Sequence, residues 1–146
     1  AYIKSDKIIL MAKKKSISQL KKQLDKIFSI YIRLRDATPQ GYVKCFTCDK
    51  VSHYKIGIHA GHFMSRSRLA TRWHEDGNVM PQCYRCNIHL SGNQYIYSLR
   101  LDERYGEGTA KKLEELSRQP TKMMRIDYEE LIDYFTKKVN KLTKNS

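Results

Sequence analysis

Apolar residues recur at three- and four-residue steps through Ile17, Leu20, Leu24, Ile27, Phe28, Tyr31 and Leu34, with Lys21, Lys22 and Lys26 largely off that stripe. The period predicts an amphipathic helix. Ser16 and Gln19 match a capping box at its start, and Pro39 and Gly41 stop it near Asp36. Its apolar face fits either core packing or a dimer interface. The period then shortens. Tyr42-Val43-Lys44 reads as a short strand, and Ile56 to Phe63 alternates like a second one, with glycines that permit a tight bend. A polar, basic loop carries Arg66, Arg68, Arg72 and Trp73, and Glu75 to Asn78 is a turn. Helical spacing returns at about Asn87, with Leu90, Tyr95, Ile96 and Leu99 as its apolar positions and a break or kink at Ser91-Gly92. Thr109 is placed to cap a further helix bearing Leu113 and Leu116. Asp127 and Glu130 open a last one bearing Leu131, Tyr134, Phe135 and Val139, whose basic end suits either the helix dipole or DNA.

This order predicts an α+β chain. A basic arm spans 1–15 and stands outside the fold, either disordered or an extension ahead of Met11. A helix lies in 16–40, a compact module in 41–106 and the C-terminal helices in 107–146. At 146 residues the core is modest, so a metal staple would help it. Charge changes the picture most. Lys and Arg number 28 against 15 Asp and Glu, a formal net charge of +13, which points to a polyanionic partner, DNA above all. No run is apolar enough to span a bilayer and no signal peptide is legible, so no membrane partner and an intracellular location are expected.

Reduced thiols are the rule in that compartment. All four cysteines fall in two C-x-x-C pairs, Cys45/Cys48 and Cys83/Cys86. Paired knuckles of this kind suit tetrahedral zinc, each presenting two thiolates about a backbone turn. An iron–sulfur cluster is the rival for the same ligands. A four-thiolate zinc is coordinatively closed, so any chemistry lies elsewhere. His62 falls between the pairs. Asn78 precedes the second pair, and Asn87 follows it directly.

The frame C-x2-C…H…N…C-x2-C-N resembles the HNH, or ββα-metal, nucleases that carry a structural zinc in a treble-clef-like module. It is most similar to the NinG/Rap recombination endonucleases of phages. The resemblance rests on Cys45-Phe-Thr-Cys48, His59-Ala-Gly-His62-Phe63, Ser65-Arg-Ser67, Arg72-Trp73, Asn78-Val-Met-Pro-Gln-Cys83 and Cys86-Asn-Ile-His-Leu-Ser-Gly-Asn93. It covers residues 42–106 well and the flanking helices only in general character. It implies a ββα-metal zinc module flanked by N- and C-terminal helices. It also implies an endodeoxyribonuclease that cleaves branched recombination intermediates such as Holliday junctions, in the host cytoplasm if phage-encoded.

In that mechanism His62 is the general base, and Mg2+ or Mn2+ stabilises the leaving oxygen. Asn87 ligates that ion, and Asn78 fixes the loop and orients His62. Many such enzymes carry an acidic or His ligand immediately before the base; here that position is Gly61. His59 is the expected substitute ligand, with a phosphate contact or an indirect role as its alternatives. His89 is a second candidate ligand or phosphate contact. Arg66, Arg68 and Arg72 are expected on DNA phosphates, and Trp73 either on an unpaired base or packed over the zinc module. Two other readings share the cysteines and the charge: a non-catalytic zinc module that binds DNA, and an HNH nicking or restriction-type nuclease.

Overall fold

A computed structural model describes residues 14–144; the expected basic arm lies outside them except for Lys14 and Lys15. Helix α1 is Ile17–Arg35. Its capping box is formed: Gln19 N–H donates to Ser16 Oγ (3.1 Å), and Ser16 N–H donates to Gln19 Oε1 (2.8 Å). Leu20, Leu24, Phe28 and Ile32 form its buried stripe. Ile17, expected in that stripe, is exposed at the first turn of the helix. The helix ends at Arg35 with Asp36 as its C-cap, as the stop expected near Asp36 has it.

Strands β1 (Tyr42–Lys44) and β2 (Val51–His53) pair antiparallel, and the first cysteine knuckle is the turn between them. The sequence pattern misses β2. Strands β3 (Ile58–His62) and β4 (Val79–Cys83) form a second antiparallel pair, with Ile58 opposite Cys83 and His62 opposite Val79. Between them lies a single helical turn, α2 (Leu69–Arg72), where a plain loop is expected from sequence.

No α-helix starts at Asn87. Arg85–His89 is a π-helical turn. Ser91, Gly92 and Asn93 then all take positive φ, and α3 runs Gln94–Tyr105. That break resets the helical phase. The core positions of α3 are Tyr97 and Leu101, while Leu90, Tyr95 and Leu99 are exposed. Helix α4 is Thr109–Ser117. Thr109 is its first residue rather than its cap; its hydroxyl donates back to Gly106 O (2.7 Å), and Asp102 of α3 accepts from Ala110 N–H (3.0 Å). Helix α5, Arg125–Lys144, opens two residues before Asp127, whose carboxylate accepts from Met124 N–H (2.7 Å).

Three small clusters make the core. Phe28 of α1 meets Phe135 of α5 edge-on at 4.8 Å, in a cluster that also takes in Trp73, Val79 and Tyr128. Trp73 therefore packs among helices, not over the cysteines. A second cluster is Val43, Cys45, Ile58, Cys83 and Cys86, and a third is Met80, Tyr97, Leu101 and Leu113. Two arginines of α1 tie the helical layer to the strands: Arg33 donates to Tyr54 O and Arg35 to Glu75 O, both at 2.6 Å. Among the described residues no helix is long and apolar enough to cross a membrane.

Candidate metal centre and active site

The turn of the β1–β2 hairpin brings Cys45 and Cys48 against Cys83 at the end of β4 and Cys86 in the π-helical turn. All four Sγ atoms lie within 4.8 Å of one another, and Cys48 Sγ is 3.7 Å from Cys83 Sγ. Thiolates on one tetrahedral zinc at ~2.3 Å stand about 3.8 Å apart, so the spacing fits a shared ion. Donors surround the sulfurs and would offset thiolate charge: Cys86 N–H on Cys83 Sγ (3.5 Å), Asn93 Nδ2 on Cys86 Sγ (3.8 Å), and Thr47 Oγ1 beside Cys45 Sγ (3.5 Å). The four cysteines are thus placed to hold a metal ion, and the donor set is that of a structural zinc.

The β3–β4 register sorts the other candidates onto two faces. Side chains alternate along a strand, so His59 and Gly61 share one face and Ala60 and His62 the other. On the first face Asn87 meets His59, with Asn87 Nδ2 3.0 Å from His59 Nδ1. The Tyr84 ring stands edge-on between His59 (5.7 Å) and the exposed His89 (5.1 Å). Gln82, opposite His59, is fully buried; its Nε2 donates to Gly92 O (2.8 Å) and Thr47 Oγ1 (3.1 Å), and its Oε1 has no hydrogen-bond partner among the described residues.

That Gln82 amide lies where a side chain at residue 61 would begin. A Cβ there would stand 2.7 Å from Gln82 Cδ and 2.8 Å from Cγ. The position is glycine because Gln82 fills the space. Gly61→Ala is expected to cost about 1–3 kcal/mol through this overlap, read as a lower urea midpoint. Adding Gln82→Ala should recover part of that loss; a double variant with purely additive losses would count against the clash.

On the second face His62 lines a cavity with Asp25, Phe28, Ser29, Ala60 and Arg66. Its Nε2 is 2.9 Å from Arg72 O. A carbonyl only accepts, so Nε2 carries the proton and Nδ1 keeps a free lone pair. Burial, the largest influence, holds the His62 pKa below its ordinary value; Arg66 and Arg72 push the same way, against the Arg72 carbonyl and Asp25.

The loop that supplies this carbonyl is held by Asn78, which is fully buried. Its Oδ1 accepts from Met64 N–H and its Nδ2 donates to Thr71 O, both at 2.8 Å. Tyr97 of α3 adds a second clamp, donating to Gly61 O (2.8 Å).

The chain matches the family model described as Bacteriophage Lambda NinG protein over residues 4–145. It belongs to the NinG family. No curated protein and no solved structure matches it. In this NinG-family chain the three arginines differ in how committed they are. Arg72 is mostly buried and paired with Asp25, Nη2 to Oδ2 at 2.6 Å, so its guanidinium is not free for a phosphate. Arg66 makes one exposed bond to the same carboxylate (2.9 Å), and the Arg68 guanidinium is exposed and makes no hydrogen bond or ion pair with the described residues. On α5, Lys138 lies over the Tyr31 and Tyr134 rings and pairs with Glu75, which commits it to the fold.

Sequence reasoning also missed residues. Asp25 looks like one more polar position of α1. Tyr97 looks interchangeable with Tyr95. Gln82 precedes a cysteine and carries no signal of its own.

Proposed function

We propose that this protein is a metal-dependent DNA endonuclease of the HNH, ββα-metal type, stabilised by a four-cysteine zinc and selective for branched recombination intermediates such as Holliday junctions. One observation carries the reading above all. The Arg72 carbonyl accepts a hydrogen bond from His62 Nε2–H, which leaves Nδ1 to accept a proton from an attacking water. Membership of the NinG family and the charge of +13 support DNA as the substrate class.

The residues that would hold the catalytic ion are His59 and Asn87. Their side chains meet on one face of β3, with Asn87 Nδ2 3.0 Å from His59 Nδ1, so an imidazole and a side-chain amide would be available to one ion there. An imidazole and an amide oxygen suit Mn2+ somewhat better than Mg2+. When bound, that ion would supply Lewis-acid stabilisation of the leaving oxygen. The chain's own work is done by other groups. His62 takes the proton at Nδ1 and passes none through Nε2. Arg66 and Arg68 neutralise phosphates beside it. Asn78 holds the loop in place.

The reading predicts a pH profile. The folded pKa of His62 lies below its unfolded value, so the imidazole is neutral and able to accept at neutral pH. Cleavage should fall as pH drops through that lowered pKa, with the acid limb of kcat/KM below the ordinary histidine value of about 6.5. The same shift withdraws folding stability on acidification, because the unfolded chain takes up the proton first. An acid limb above the ordinary histidine range would count against His62 as the base.

The direct test compares a four-way junction, a flap and a linear duplex with Mg2+ or Mn2+, with EDTA as control. Cutting of the junction in preference to duplex is expected. Equal cutting of all three would sink the selectivity and favour a nicking or restriction-type enzyme. The second reading, a non-catalytic DNA-binding zinc module, is favoured by the placement of His62 and the His59–Asn87 pair on opposite faces of β3. Against it stands the His62 hydrogen bond from Nε2 to Arg72 O, which leaves Nδ1 open to accept a proton. Absence of cutting with any divalent ion, alongside tight binding of branched DNA, would select this module.

A further inference from the structure

We propose that Asp25, on α1 and outside the metal-bearing segment, is a positioning residue for His62: by gripping the Arg72 side chain it fixes the Arg72 carbonyl that sets which His62 nitrogen carries the proton. The inference rests on the reading of His62 as the general base.

Four donors converge on this one carboxylate. Arg72 Nε (3.1 Å) and Trp73 Nε1 (2.9 Å) meet Oδ1, and Arg72 Nη2 (2.6 Å) and Arg66 Nη2 (2.9 Å) meet Oδ2. The Arg72 contact is the two-pronged fork that gives a guanidinium–carboxylate pair both strength and a fixed orientation. Burial alone would raise the Asp25 pKa, but the bonds and charge of Arg72, with Trp73 and Arg66, more than reverse it and keep the group ionised. With every oxygen facing a donor, Asp25 is spoken for as an anchor rather than as a base or a metal ligand.

The anchor matters because the element it holds is weak. Helix α2 has four residues and no side-chain cap, too little to fix its own last carbonyl. Two tethers do so instead. Asn78 holds Thr71 O from the strand side, and Asp25 holds the Arg72 side chain from the helix side. Arg72 Nη1 also donates to Arg66 O (2.8 Å), which closes the loop on itself. Asp25 makes no hydrogen bond to His62, yet both line the same cavity. Its influence runs through Arg72. Loss of the grip frees the carbonyl and lets the imidazole exchange between its two neutral forms, only one of which leaves Nδ1 open.

The test reads the imidazole directly. Long-range 1H–15N correlation spectra of the zinc-loaded, 15N-labelled full chain, taken at a pH where His62 is neutral, report which ring nitrogen is protonated. Wild type should give one form, protonated at Nε2. Asp25→Asn should move both nitrogen signals toward an averaged position. Arg72→Met should do the same, since it keeps the backbone carbonyl and removes only the tether; it decides the matter if Asp25→Asn does not fold. Trp73→Phe leaves the Arg72 fork in place and should keep the wild-type pattern. In single-turnover cleavage both tether variants should lose roughly tenfold in rate, a fraction of the ~10²–10⁴ that a positioned base supplies, with KM unchanged.

Folded Arg72→Met with an unchanged His62 spectrum overturns the proposal. So does a wild-type His62 protonated at Nδ1, or a Trp73→Phe spectrum altered as much as that of Asp25→Asn. The nuclease reading fails separately: a tautomer change as expected, with His62→Ala still fully active, would leave the tether standing and remove the base.

Discussion

Removing the metal from Cys45, Cys48, Cys83 and Cys86 should unfold the central module. A structural four-thiolate zinc contributes apparent binding free energy of about 10–16 kcal/mol, and a domain of this size has only about 5–15 kcal/mol of net stability in all. The apolar cluster around the thiols, Val43, Ile58 and the cysteines themselves, is too small to replace it. The hairpin turn is otherwise joined to β4 by single hydrogen bonds, Phe46 N–H to Pro81 O (2.8 Å) and Gln82 Nε2 to Thr47 Oγ1 (3.1 Å), each worth about 1 kcal/mol. A strong chelator should therefore abolish the cooperative urea transition of the module and release one zinc per chain. The α1–α5 pair has its own aromatic contacts, Phe28 and Tyr31 on Phe135, and should lose helical signal last. A module that keeps its transition with the metal gone would contradict the role assigned to the thiols. Visible charge-transfer absorption in place of a colourless ion would identify an iron–sulfur cluster instead.

His62→Ala should lower the rate of DNA cleavage by about 10²–10⁴-fold, the usual share of a positioned general base, while leaving urea stability within about 1–2 kcal/mol. Among the described residues the side chain makes one hydrogen bond, to Arg72 O, so its removal opens a small cavity rather than breaking a network. DNA affinity should hold, since the proposed phosphate contacts are those of Arg66 and Arg68. The paired measurement separates base from ligand. His59→Ala should instead raise the Mn2+ concentration needed for half-maximal activity, with much of the rate recovered at saturating ion. A His62→Ala enzyme that cuts at the wild-type rate would remove the assignment, whatever the metal dependence.

Much of this molecule is legible along the chain, for reasons that differ by residue. The cysteine pairs announce themselves because a knuckle is local: two thiols, two residues apart, need only a turn. The α1 capping box is equally local, since Ser16 and Gln19 satisfy each other's backbone within one turn. The α3 register was not legible. Tyr95 and Leu99 have the spacing of a core stripe, yet Tyr97 and Leu101 are buried instead. The reversal follows from the three positive-φ residues Ser91, Gly92 and Asn93, which rotate the following helix by an amount no hydrophobic pattern encodes. Tyr97 is buried partly because its hydroxyl meets Gly61 O, an acceptor set by strand pairing.

The sequence alone determined the two cysteine pairs that could hold a metal ion, the mixed α+β character, the basic character and the histidine and asparagine candidates. Each is a property of composition or of spacing within a few residues. Tertiary structure alone decided which candidates meet. It joined His59 to Asn87 and set His62 on the other face of β3. It filled the space beside Gly61 with Gln82, and it committed Arg72 to Asp25 across 47 positions of chain. Those pairings come from strand register and helix packing, in which a shift of one residue turns a side chain to the opposite face. Only the folded backbone fixes that shift.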